Sequence, residues 1–422
     1  MQVCGRSKQT VTSLYKRWPV GYHRAVLRRL SGSQGSPLTE ILPNKLGTSS
    51  PLLGNVENDA RLNRMKVGVF VGRVPPAAGG GFTFADDIIQ ALFRLESKHR
   101  ITMFGDLTGD QRKKLTAKEI QVVSPRRYIP KIVVSRLMRN KSSFVANVPI
   151  LRDGLKVADW FQRSVCDLGI ELMWFVTPFF IEVDVPFILT IWDMQHRLQP
   201  WFPEVSISGE WYRREKFYST AIRRASAIIA GTEAGKAEIV NFYDIPPERV
   251  RLIPHPTPAF AFCASRENRE EVLTRYGIPG WYLFYPAQFW PHKNHVGLLL
   301  ALNLLREKHG LKLPVVFVGS DTGNINYVRQ TAENLGLSSQ VHFLGFVPRD
   351  DMIGLYRNAF ALTYVTFFGP ENLPPLEAFA LGCPVIASKV SGAQEQLGHA
   401  ALLVDPRDEE EIAKAIKLLY ED

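Results

Sequence analysis

The chain is poor in cysteine. Four occur in 422 residues, at Cys4, Cys166, Cys263 and Cys383, and no two form a CxxC pair. That scatter argues against a disulfide framework and a cysteine zinc site, and it fits a reducing compartment. Long apolar runs are also missing. The nearest, residues 170–192, is broken by Glu171, Glu182, Asp184 and two prolines, so it reads as buried strands and not as a membrane span of about twenty residues. Neither a short internal repeat nor a heptad run occurs, and no convincing Asp-x-Asp metal motif stands out. Asp350 and Asp351 follow Pro348 and read as capping at a helix start. His292 and His295 have no carboxylate or cysteine close in sequence and make a poor metal site.

Charge is present but unevenly placed. The net charge is +10, and residues 1–64 carry +7 of it. The rest is nearly balanced, so the high isoelectric point gives no case for a nucleic-acid partner. Residues 1–64 are expected to be a basic, disordered leader. An Arg-rich, acid-poor composition also resembles an organelle transit peptide, and a start extended upstream of Met65 fits as well. A hydrophobic fraction of 45% and a charged fraction of 22% are those of a globular protein.

Regular structure is expected from Met65. MKVGVFVG is a continuous apolar strand, RVPPAAGGG a Pro/Gly loop, and FTFADDIIQALFRLE has helical spacing with Phe84, Ile88, Ala91, Leu92 and Leu95 on one face. Strand, glycine-rich loop and helix open a doubly wound α/β domain. ITMFG, IELMWFV, FILTIWD and AIIAG continue it as strands. After a crossing near 263, a second series is expected: WYLFYPA, PVVFVG, VHFLGF, AFALTYV, PVIAS and AALLVD as strands. Its helices should lie near 295–309, 325–336, 349–357, 373–381 and 408–420. The organisation is therefore a leader (1–64), a first domain (65–262) and a second (263–422), with a cleft between the carboxyl ends of two parallel sheets.

GPENLPPLEAFALGCPVIAS, residues 369–388, reads as a helix with hard edges. Asn372 suits the N-cap, and Pro374 and Pro375 fit only a first turn. Gly382 is the left-handed stop, and Pro384 forbids continuation. A helix N-terminus is an anion site, and Glu377 one turn inside can accept from hydroxyls beside that anion. A sugar phosphate would satisfy both.

The second half then looks familiar. YPAQFWPHKNH, FLGFVPRDDMIGLYRNA and GPENLPPLEAFALGCPVIASKVSGAQEQLGHAALLVDPRD resemble glycosyltransferase family 4, whose members are retaining, nucleotide-sugar-dependent enzymes of the two-domain GT-B fold. Weaker likeness upstream extends the resemblance over nearly all of 65–422. It implies that Glu377 binds the nucleotide ribose, and that the backbone near Asn372 and Leu373 faces the diphosphate. Lys293 would neutralise the donor phosphates. Gln288 stands where the family usually has Arg, with His292 or His295 as possible sources of compensating charge. The first Glu of the family's E-x7-E motif falls on Gly369, and Glu371, two positions on, is the substitute. Gly79, Gly80 and Gly81 match the flexible loop after the first strand; a plain turn is the other reading. Trp192 replaces a family His, leaving Asp193 and His196 as cleft candidates, against a core-packed Trp followed by a helix-capping Asp. Gly392 and Glu395 keep a family spacing, against a helix-start Glu.

On this resemblance the chain is expected to move a hexosyl group, mannosyl by preference, from a nucleotide diphosphate sugar to a hydroxyl acceptor, with no cofactor and no metal. The acceptor would be a glycan or lipid-linked, and the location cytoplasmic. Two rivals remain: a nucleotide-sugar-binding module without transfer, and a GT-B epimerase. Residues 124–141 carry six Lys/Arg and no acid, interleaved with apolar residues such as Ile132, Val133 and Leu137. They suggest contact with an anionic membrane surface, or a basic face that is merely solvated.

Overall fold

The computed structural model describes residues 64–72, 79–124, 149–262 and 269–421. The leader up to 63 and all but Ser124 of the basic segment lie outside the described residues.

Two parallel sheets carry the structure. The first has seven strands: β1 (Lys66–Gly72), β2 (Arg100–Gly105), β3 (Gln121–Val123), β4 (Leu172–Phe175), β5 (Phe187–Thr190), β6 (Ala227–Ala230) and β7 (Val250–Leu252), in the order β3-β2-β1-β4-β5-β6-β7. Its main helices are α1 (Gly80–Arg94), α2 (Gly109–Ala117), α3 (Pro149–Asp167), α4 (Glu210–Arg224) and α5 (Glu233–Tyr243). The second has six strands: β8 (Leu283–Pro286), β9 (Val315–Val318), β10 (Val341–Gly345), β11 (Ala361–Tyr364), β12 (Val385–Ser388) and β13 (Leu402–Val404), in the order β10-β9-β8-β11-β12-β13. Around it pack α6 (Arg269–Tyr276), α7 (His295–His309), α8 (Ile325–Asn334), α9 (Arg349–Asn358), α10 (Leu373–Leu381), α11 (Ala393–Leu397) and α12 (Glu409–Glu421).

The central strands are largely apolar because helices cover both sheet faces. Val315, Val316 and Phe317 on β9 and Leu283, Phe284 and Tyr285 on β8 have no exposed surface at all. Each such side chain contributes about 1.5–3 kcal/mol through burial. The two doubly wound domains and their named strands agree with the sequence reading, and the five expected second-domain helices, α7, α8, α9, α10 and α12, fall within about two residues of expectation, while α6 and α11 lie outside it. Two three-residue strands, β3 and β7, escaped it, because three residues carry no measurable periodicity.

Strand order reverses between β1 and β4 in the first sheet and between β8 and β11 in the second. Loops leaving the carboxyl ends of these strands are where a doubly wound sheet binds ligands. They include the glycines before α1, the stretch Gln288–Lys293 after β8, and Val365–Asn372 after β11. The chain crosses over soon after Leu252, and Ala261 already belongs to the core of the second domain.

Asp350 and Asp351 do begin a helix, but neither side chain caps α9. Asp351 is 7% exposed, pairs with Arg275 of α6 and accepts from the Tyr276 hydroxyl at 2.7 Å. It ties α9 to α6.

Candidate nucleotide-binding cleft

The wall supplied by the second domain is built around one asparagine. After β8 the chain makes a single 3-10 turn, Pro291–Lys293, and reverses at Asn294, which has φ 52°. Asn tolerates this left-handed region better than most residues. Its Oδ1 accepts from the Gly297 N–H at 3.1 Å and starts α7, while Nδ2 donates to Val365 O at 2.9 Å and Pro406 O at 2.8 Å. Lys293 is thereby held at the ends of β8 and β11, with Nζ 5.2 Å from the centre of the Tyr364 ring. Gln288 accepts from the Trp290 indole at 3.0 Å. The two histidines do not supply the expected charge. His295 is buried, stacked on Phe289 at 4.4 Å, and burial pushes its pKa down to about 3. His292 is also lowered by burial, and it is bound to Glu204 of the first domain.

The opening of α10 is as rigid as its sequence suggests, with Pro374 and Pro375 in the first turn and Gly382 left-handed at φ 76°. One detail differs. Asn372 occupies the N-cap position, but its side chain does not cap. Its Nδ2 donates to Gly369 O at 2.9 Å, and its backbone is bracketed by Gln396, which accepts from the Asn372 N–H at 3.0 Å and donates to its carbonyl at 3.1 Å. With prolines at the next two positions, Leu373 carries the free N–H of this helix end. The bracket also explains why glycine, and no carboxylate, stands at 369. Gly369 has φ +143°, and a Cβ there would lie 2.5 Å from the Asn372 carboxamide.

Glu377 projects from α10 into a closed site. It is 7% exposed and accepts from the Tyr356 hydroxyl at 2.6 Å. Burial pushes its carboxyl up to about 7, against the lowering effect of that hydrogen bond, and Asp87 of the first domain adds like charge. Asp87 is itself raised to about 6 by burial.

The first-domain wall is mostly backbone. The three glycines are not a loop apart from the helix. Gly79 is the N-cap of α1 at φ 63°, and Gly80 and Gly81 are its first two residues. A Cβ on Gly79 would sit 4.0 Å from the Gln288 side chain, and one on Gly80 would sit 3.7 Å from Leu373 Cδ1. The amino ends of α1 and α10, from different domains, therefore meet beside Gln288. Both ends are positive in dipole and carry N–H groups without helical partners.

His196 does not join this wall as expected. His196 has no exposed surface. Its Nε2 lies 3.2 Å from Glu215 and 3.4 Å from the Tyr243 hydroxyl, and burial lowers its pKa. It is a core residue of the first domain and touches no cleft surface. Asp193 is partly exposed, accepts from the Gln195 N–H at 2.9 Å, faces Arg214 at 3.6 Å, and its charge acts on His292 of the second domain, so it lies beside the cleft. Trp192 packs edge-on against Phe84 at 5.7 Å. The reading of a packed Trp describes position 192, but Asp193 is not the helix cap, a position held by Met194.

Four carboxylates that sequence reasoning gave other roles, or none, join the walls. Each accepts a backbone N–H from across the cleft or the crossover: Glu204 from His292 at 3.1 Å, Glu371 from His255 at 2.8 Å, Glu395 from Glu233 at 2.8 Å, and Asp87 from Ala259 at 3.4 Å. Glu371, the expected substitute for the first motif Glu, thus faces the first domain. Burial raises its carboxyl to about 7 and lowers the neighbouring His255 to about 4, so the two are not an ion pair at neutral pH. Among the described residues, no group of three or more His, Cys, Asp or Glu is arranged to hold a metal. Among them also, no helix is long and apolar enough to cross a membrane.

Comparison with known proteins bears on the same regions. Residues 269–422 match the family model described as glycosyl transferases group 1. The chain is 28% identical over 210 residues to an O-antigen chain mannosyltransferase B of Escherichia coli, covering 49% of this chain and 55% of that protein. It is 25% identical over 223 residues to the O-antigen chain mannosyltransferase RfbU of Salmonella typhimurium, covering 53% and 58%. The chain thus spans about half the length of the curated relatives it matches. Among solved structures it is similar to Anabaena HepE in complex with UDP and glucose, with a TM-score of 0.61 and 19% identity over 85% of this chain and 90% of that one. The fold is GT-B: two Rossmann-like domains facing a cleft.

Proposed function

We propose that this chain is a glycosyltransferase that moves a hexosyl group, mannosyl by preference, from a nucleotide diphosphate sugar to a hydroxyl of a glycan or lipid-linked acceptor, with retention. The observation that carries the reading is the meeting of two helix N-termini, α1 at Gly79–Gly80 and α10 at Leu373, beside Gln288. Such a place suits a diphosphate. Lys293, on the turn that follows Gln288, would add a full positive charge as negative charge develops on the leaving group, where a preorganised cation lowers the barrier most. Glu377 would accept from the ribose hydroxyls in exchange for, or beside, the Tyr356 hydroxyl. The first domain would hold the acceptor. The sugar comes from the resemblance to O-antigen mannosyltransferases, and the nucleotide from the family resemblance and the UDP-bound HepE. No protein nucleophile is assigned, and the reading calls for no metal and no cofactor.

Gln288 in place of Arg, and the absence of a carboxylate at 369, motivate one second reading: the chain binds a nucleotide sugar without transferring it. A donor panel decides. GDP-mannose, UDP-glucose and UDP-N-acetylglucosamine are titrated calorimetrically into the full chain, and the products with oligomannose acceptors are read by NMR. A glycosylated acceptor and free nucleotide support transfer. Binding without either supports the second reading, and binding of none of the three sinks both.

A further inference from the structure

Glu371 leaves the donor wall altogether. Its carboxylate fills the space above the Gly231 Cα, where a Cβ would lie 1.3 Å from Oε2. Oε1 accepts from the His255 N–H at 2.8 Å, Oε2 lies 3.4 Å from His255 Nδ1, and the side chain is 4% exposed. Only glycine at 231 permits this seat. Next to it, Glu395 sets both oxygens on the N–H of Glu233, the first residue of α5, at 2.8 and 2.9 Å. Ser391 donates to Glu238 one turn further along α5, at 3.0 Å. One short stretch of the first domain, Gly231–Glu238, thus receives three side chains from the second.

The loop that carries Glu371 has little freedom of its own. The Pro370 carbonyl lies against the Gly392 Cα, where a Cβ would sit 2.2 Å from it. The Asn372 carboxamide fills the Cβ space of Gly369, and Gln396 brackets the Asn372 backbone. Glu371 is held between these fixed points, two residues before the N–H of Leu373.

We propose that Glu371 is a positioning residue: by seating on Gly231 it couples docking of the two domains to the geometry of the anion-binding end of α10. The proposal rests on the reading that a nucleotide diphosphate binds at that end, and the experiment separates the two. Hydrogen exchange of the full chain is followed by mass spectrometry for wild type, Glu371→Ala, Glu371→Gln and Gly231→Ala. Glu371→Ala is expected to raise exchange about tenfold in the peptides holding His255, Glu233 and Asn372, whose N–H donates to Gln396 at the amino end of α10, while α4 and α7 stay protected. Glu371→Gln keeps the size and an acceptor oxygen and should restore most of the protection. Gly231→Ala should match Glu371→Ala, and exchange in α4 shows whether that variant has merely unfolded the first domain. Titration with UDP and GDP should then show at least a fivefold weaker Kd for Glu371→Ala, with Glu371→Gln close to wild type.

Loss of protection at His255 alone, with Glu233 and Asn372 unchanged, makes the contact local and overturns the proposal. Equal loss in Glu371→Gln and Glu371→Ala also overturns it. If wild type binds neither UDP nor GDP, the nucleotide reading fails, and exchange at Asn372 still decides the coupling.

Discussion

The two walls of the cleft are made of different material. The second-domain wall presents side chains, Lys293 and Glu377, each placed by a turn or cap within its own domain. The first-domain wall presents mainly backbone, the amino end of α1, with the carboxylates Asp87 and Glu204 set on backbone N–H groups, while His196 is spent on internal bonds. Side chains can be exchanged one at a time, whereas a helix end cannot. Substitution should therefore damage chemistry on one side of the cleft and mainly stability on the other.

The largest effect is expected at Lys293. Lys293→Ala should lower transfer about a hundredfold or more, roughly 3 kcal/mol of barrier, with an unchanged circular dichroism spectrum. Wild-type turnover would remove Lys293 from the site and erase the contrast. Glu377→Gln comes next. It keeps the Tyr356 hydrogen bond and should weaken nucleotide binding by about 1.5–3 kcal/mol, measured by calorimetry. An unchanged dissociation constant would leave Glu377 a helix residue only.

The same substitution gives a pH test. The Glu377 carboxyl is raised from its ordinary value to about 7, chiefly by burial. Its folded state therefore prefers the protonated form, and the stability this brings is full below about pH 4.5 and lost as pH rises through about 7. Glutamine does not titrate. From pH 5 to pH 8 the Glu377→Gln variant should gain on wild type by up to about 3 kcal/mol in urea melts. A constant difference across that range would mean that the carboxyl is not desolvated.

On the opposite wall the signs reverse. His196→Ala should cost about 1–3 kcal/mol of stability by emptying a buried site packed on Tyr218 and removing one of the partners of Glu215, which keeps Arg197 and Tyr243. Turnover per folded molecule should stay within about twofold of wild type, because the ring reaches no substrate. A hundredfold loss with the fold intact would return His196 to the cleft. Asp193→Asn should do least, within about 1 kcal/mol in stability and with little change in rate, since the amide oxygen can still accept from the Gln195 N–H.

How much of this could be read from the sequence follows the same divide. Apolar strands and proline- and glycine-bounded helices are local signals, so the second domain was legible nearly element by element. α10 was expected over 373–381 and occupies Leu373–Leu381. Lys293 and Glu377 stand out in the sequence because a motif ties them to such elements. The uses of Glu371, Glu395 and Glu204 were not legible, since each depends on a backbone N–H more than eighty residues away. The burial of His196 depends on Glu215 and Tyr243, brought to it by α4 and α5. One local clue was available and passed over. A glycine in place of a motif carboxylate, three residues before an asparagine, signals a backbone position that another side chain already occupies.

Asn294 has a consequence for what the chain can lose. It holds the turn by three bonds, to Gly297, Val365 and Pro406, and none of them uses the side chain of its neighbour. Even the bond at Lys293 itself, from the Tyr285 hydroxyl, goes to the main-chain carbonyl. Address and cargo are thus written in adjacent residues. A substitution at 293 changes what is delivered and leaves the delivery point intact. A change of Asn294 to its acid isostere keeps the shape and sets a negative oxygen against two carbonyls. In a genetic screen the two neighbours would fail differently, one as a well-folded protein that is chemically silent, the other as a protein that is scarce.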